Sequence, residues 1–110
     1  MSIQSVVLRN TRDPEEGSRH LQASMTAVGD LVIEGQDLGD SVERALGVRE
    51  YEWIWTVRAP HVPVLASALG GPGDVLSALE ERFRGENAAG LKSFLDSQGI
   101  PHEVWSRMGD

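Results

Sequence analysis

The period of the apolar positions changes about halfway along this chain. Over residues 20–27 they alternate: Leu21, Ala23, Met25 and Ala27 fall on one side, Gln22, Ser24 and Thr26 on the other. That is the pattern of a strand with one buried face. Gly29-Asp30 supplies turn residues, and Leu31–Leu38 returns as the second arm of a hairpin, with Leu31 and Ile33 continuing the buried side. Gly35 inside that arm marks a bulge or a close backbone approach. Residues 2–9 have the β-branched content of a first strand. Residues 49–57 read as a further strand, with Tyr51, Trp53, Trp55 and Val57 on one side and Glu50, Glu52, Ile54 and Thr56 on the other. The polar stretch 10–18, punctuated by Pro14 and Gly17, reads as a loop.

Beyond residue 58 the spacing becomes helical. Val62, Leu65, Ala66 and Leu69 share a face, with Pro60 or Pro63 in the tolerated first turn. Gly70-Gly71-Pro72-Gly73 breaks the pattern, and Asp74 caps a helix over residues 75–84 whose stripe is Val75, Leu76, Leu79 and Phe83. A third helix over residues 87–97 uses Leu91, Phe94 and Leu95 and closes at Gly99. Two shorter elements complete the pattern. One is a helix over residues 42–46 capped by Asp40 or Ser41, the other a closing strand over residues 100–105. Pro101 confines that strand to a sheet edge or a strand beginning. Strands first and helices afterwards predict an α+β fold, a three- to four-stranded antiparallel sheet with helices packed on one face. At 110 residues the chain is read as a single domain, 1–110, able to bury enough surface to fold without a metal or a disulfide.

Charge narrows the partners. Seventeen acidic residues against ten basic ones give a net charge of -7, a field that repels nucleic-acid phosphates and anionic lipid and favours a basic protein partner. The chain has no cysteine, which removes disulfides and thiolate chemistry and fits a reducing compartment. Residues 1–10 lack the basic head and apolar run of a signal peptide, and no stretch approaches the ~20 apolar residues of a membrane span, so a cytoplasmic location is expected. No phosphate-binding loop is present, because the glycines at 70–73 lack the Lys-Ser/Thr ending. His20, His61 and His102 have no metal-ligand spacing, and no sequence motif calls for a cofactor.

Candidate chemistry gathers on two strands. Glu34 and Gln36 share one strand face and Glu50 and Glu52 another. If the strands pair, these side chains come within about 5–8 Å of one another. Such a cluster calls for a neutralising arginine (Arg9, Arg49 or Arg58), a divalent cation or an acid-base pair. Asp37 and Asp40 shape the entry to the next helix or join the polar surface. Tyr51, Trp53 and Trp55 are first of all core residues, available for contact only where a ring is exposed.

The segments GDLVIEGQDLG (residues 29–39), EYEW (residues 50–53) and the proline-flanked helix at residues 62–65, with the ending GIPHEVW, resemble a family of small uncharacterised actinobacterial proteins. The resemblance covers most of the chain from about residue 20 and implies no activity. Immunity proteins that neutralise secreted toxins are of similar size and acidity, which is an analogy of composition. The leading expectation is a non-enzymatic binding protein using Glu34, Gln36, Asp37, Asp40, Glu50 and Glu52, with Trp53 and Trp55 as aromatic contacts. The alternative is a small enzyme or divalent-metal-binding domain built on Glu34 and Glu52 paired across strands. Homodimerisation through the sheet edge or the Ile54 face is a third reading.

Overall fold

The computed structural model describes residues 4–15, 17–39, 43–44, 47–71 and 73–109. Five strands, β1 (Ser5–Asp13), β2 (Gly17–Met25), β3 (Leu31–Leu38), β4 (Glu50–Val57) and β5 (Glu103–Gly109), form one antiparallel meander in the order β1-β2-β3-β4-β5. Between β4 and β5 lie the helices α1 (Val62–Ala68), α2 (Val75–Phe83) and α3 (Leu91–Ser97). A 3-10 turn at Ala59–His61 leads into α1 and another at Gly85–Gly90 leads into α3. The fold is therefore α+β with an antiparallel sheet, and its five strands replace the three or four expected.

The extra strand length comes from segments without an apolar signature. Residues 10–18, read as a loop, are the tip of the β1–β2 hairpin: Asn10, Thr11, Arg12 and Asp13 pair with His20, Arg19, Ser18 and Gly17. Both faces of that tip are polar, so no alternation betrays it, and Gly17 turns the corner at φ +104°. The third helix likewise starts later than its spacing suggests, residues 85–90 being wound as the 3-10 turn. The closing strand is displaced to Glu103–Gly109. Of the helix expected over 42–46, only Glu43 and Arg44 lie within the described residues, where both are helical; Asp40 lies outside them.

Strand alternation builds the core. Val6, Leu8, Leu21, Ala23, Leu31, Ile33 and Val57 are buried on one side of the sheet and merge into a single cluster with Leu65, Leu76, Leu79, Leu91 and Leu95 of the helices. As expected, Asp74 caps α2, its carboxylate accepting from Leu76 N (3.3 Å) and Ser77 Oγ (3.1 Å).

One buried carboxylate ties the start of β3 to the end of β4 and, through Arg58, to the start of β5. Asp30, before β3, accepts from Ala59 N (2.8 Å) and from Arg58 Nη1 (2.9 Å). The same guanidinium grips Glu103 at the start of β5 through Nε (3.2 Å) and Nη2 (2.8 Å). The Ala59 amide and then Arg58 hold the Asp30 carboxyl below its ordinary value. The ionised form is therefore favoured by folding, a contribution complete above the unfolded value near 3.8 and lost as pH falls through the lower folded one. Asp30→Asn is expected to lower the melting temperature by several degrees at neutral pH. Below about pH 4 its deficit against the parent protein should shrink. Melting curves across that range that stay parallel would refute the role.

Candidate functional site

The register sorts the candidate residues into rows running across the strands. On the face away from the helices, one row is Gln22–Glu34–Ile54–Trp105 and the next is His20–Gln36–Glu52–Arg107. Glu34 thus faces Ile54, and Glu52 faces Gln36. Glu34 and Glu52 are diagonal neighbours, which corrects the expectation of a facing carboxylate pair.

The Glu52 row is internally satisfied. Gln36 Nε2 donates to Glu52 Oε1 (3.0 Å) and reaches toward Glu50 Oε1 (3.4 Å). Arg107 Nη2 sits 3.3 Å from Glu52 Oε2 and 3.5 Å from Glu50 Oε1. The neutralising cation is therefore Arg107, from the strand that pairs with β4. Arg49 is bonded to Glu43 (2.7 Å), Arg58 to Asp30 and Glu103, and Arg9 lies on the opposite face. Among the described residues no group of three or more His, Asp or Glu is placed to hold a metal ion.

The Glu34 row differs. Glu34 is exposed and no cation is bonded to it among the described residues. At the end of its row stands Trp105, 49% exposed. Between them Ile54 floors a shallow depression of about 250 Å³ that Gln36 and Glu52 also border. Sequence reasoning missed Trp105. The strand was expected to end at that residue, and residues 103–108 show no polar-apolar alternation that would have carried it further.

The helix-facing side carries the aromatic row. Tyr51, Trp53 and Trp55 follow one another along β4, their rings mutually tilted by 38° and 36° with centroids 5.2 and 6.1 Å apart. The two tryptophans are half-buried against the core, so the default expectation of packing is met for both. Gly35, opposite Trp53, makes that possible: a Cβ at Gly35 would lie 2.1 Å from the Trp53 indole. The expected close approach is thus to a ring, and β3 pairs with β4 without a register shift.

Asp37 also belongs to this side, facing Tyr51 on β4 and Arg19 on β2, which separates it from Glu34, Gln36, Glu50 and Glu52. Arg9 joins them through an irregularity in β1. The register slips between Val7, which pairs with Gln22, and Arg9, which pairs with Leu21, leaving Leu8 as the extra residue. Leu8 and Arg9 in succession therefore face the helices. Arg9, Arg19, Asp37, Tyr51, Trp53 and Trp55 enclose a recess of about 320 Å³, closed on its other side by Ala88, Ala89 and Lys92. Burial pushes the Asp37 carboxyl above its ordinary value, while the charges of Arg19 and Arg9 pull it back.

Arg9 Nε and Trp53 Nε1 are buried without a hydrogen-bond partner among the described residues. An orphaned buried donor costs about 1–3 kcal/mol. No protein-family model, curated protein or solved structure matches this chain. Chemistry on the two sheet faces is therefore what carries a functional reading.

Proposed function

We propose that this is a non-enzymatic binding protein whose open sheet face docks a basic protein partner, seating an arginine or lysine side chain between Glu34 and Trp105. The observation that carries the proposal is the Gln22–Glu34–Ile54–Trp105 row. It combines a carboxylate without a bonded cation, an aliphatic floor and an exposed indole. A carboxylate beside an aromatic face suits a cation with an apolar stem, because the stem lies on the hydrophobic surface while the charge meets both the ring and the acid. The net charge of -7 steers such a partner toward the chain. A toxin in the immunity setting belongs to this partner class. A cytoplasmic location and membership of the actinobacterial family that residues 29–39 resemble are parts of the same proposal.

Titration calorimetry with a short arginine-rich peptide tests the reading. Glu34→Gln and Trp105→Ala are each expected to weaken binding by up to about tenfold. Glu80→Gln, which removes the same charge from an exposed site on α2, should change it much less. Equal losses in Glu34→Gln and Glu80→Gln would reduce the interaction to net charge and overturn the proposal. Self-association competes for this face, since Trp105 stands exposed on the edge strand β5. Sedimentation of the free protein separates the two: a dimer abolished by Trp105→Ala would put a second copy in the partner's place.

A further inference from the structure

The recess on the helix-facing side has the opposite character to the rest of the chain. Three cations, Arg9, Arg19 and Lys92, surround it against the single carboxylate of Asp37, in a protein whose net charge is -7. Lys92 is engaged by Asp96 at 2.9 Å. No carboxylate among the described residues pairs with either Arg9 or Arg19 within ion-pair distance. Unpaired guanidinium groups are common on solvated surfaces, but these two flank one concave space walled by three aromatic rings. Two atoms of the lining residues, Arg9 Nε and Trp53 Nε1, are buried without a partner among the described residues, the second of them beside Gly35, and both are donors. The recess is therefore short of acceptors.

We propose that this recess binds a small aromatic carboxylate, its carboxylate held by Arg9 and Arg19 and its ring against Tyr51, Trp53 and Trp55. The planar fork of a guanidinium matches a carboxylate through two parallel N–H···O bonds, and flat rings pack on an indole wall in offset or edge-on arrangements. A volume of about 320 Å³ stands at the lower end of small-molecule pockets, enough for one or two fused rings and not for a dinucleotide or a peptide. The β1 irregularity is what brings Arg9 to the site. Asp37, the one group in the recess that repels an anion, tunes affinity downward. The site stands on the opposite face from Glu34 and Trp105 and is independent of the basic-partner reading.

Naphthoate serves as the probe, followed by calorimetry and by the indole N–H resonances in two-dimensional NMR. Saturable binding with a sub-millimolar Kd is expected, moving the Trp53 indole resonance and leaving that of Trp105 in place. Arg19→Gln, a change at an exposed strand position, should raise Kd by about tenfold. Asp37→Asn should lower it, and Glu34→Gln should leave it unchanged. This pattern of signs separates a carboxylate site from a cation site, for which the Arg19 and Asp37 effects would reverse. Lack of saturation at millimolar naphthoate would overturn the proposal, as would an unchanged Kd in Arg19→Gln. Inorganic phosphate bound as tightly as naphthoate would overturn the aromatic half of it. Should Arg19→Gln fail to fold, the Trp53 shift in the parent protein and the Asp37→Asn affinity still decide.

Discussion

Leu79→Ala is expected to remove about 2–5 kcal/mol of stability and to lower the melting temperature by about 10–25 °C. Leu79 is fully buried at the centre of α2, within the cluster that joins the helices to Leu8, Leu21, Ile33 and Val57. Alanine is the best helix former, so the substitution leaves the local preference for helix intact and isolates the loss of packing. A domain of this kind has about 5–15 kcal/mol to lose, and the variant should be markedly easier to unfold in urea. The matched surface change Glu80→Gln, one residue on but exposed, should stay within about 0.5 kcal/mol of the parent. A Leu79→Ala loss as small as that would mean that α2 is not packed on the sheet as described.

Gly35→Ala is expected to cost about 1–3 kcal/mol, the range of an overpacked site, and to displace Trp53. The new methyl group would stand 2.1 Å from the indole Cε2 and Cζ2 atoms and 2.6 Å from Nε1. The ring has little room to retreat, lying between Tyr51 and Trp55 along the same strand face. Relief comes only by swinging the indole into the Arg9–Arg19 recess or out toward solvent. Tryptophan emission should shift to longer wavelength and the melting temperature should fall. Pairing the change with Trp53→Leu should give a combined loss smaller than the sum of the two, because the second substitution removes the clashing atoms. An unchanged emission maximum, or strictly additive losses, would show that the ring does not depend on the missing side chain.

These two sites differ in how far the sequence reveals them. Leu79 could be assigned to the core from the helical stripe Val75, Leu76, Leu79 and Phe83, since a helix repeats its buried face every three to four residues. Gly35 could be flagged as unusual for a strand, but only the β3–β4 register shows that its missing side chain accommodates Trp53. The open-face candidates behaved similarly. Alternation placed Glu34, Gln36, Glu50, Glu52 and Ile54 on a common surface. It did not reveal that Glu52 would meet Gln36 and Arg107 while Glu34 would meet Ile54 and lie in a row with Trp105.

What the linear chain determined by itself was therefore the α+β class, the helical second half with its Asp74 cap, and the division of β3 and β4 into two chemically distinct faces. Each follows from local periodicity or from turn and capping chemistry within a few residues. Tertiary structure alone decided three other matters. The polar β1–β2 hairpin tip became sheet, because cross-strand hydrogen bonds satisfy a polar segment that has no apolar face to announce it. Arg107 took the role expected of Arg9, Arg49 or Arg58, because strand order selects the neighbour. And the register slip at Leu8 turned Arg9 toward Arg19, Asp37 and the aromatic wall. Strict alternation from Val6 and Leu8 would have pointed that arginine the other way, since one extra residue in a strand exchanges the two faces for everything beyond it.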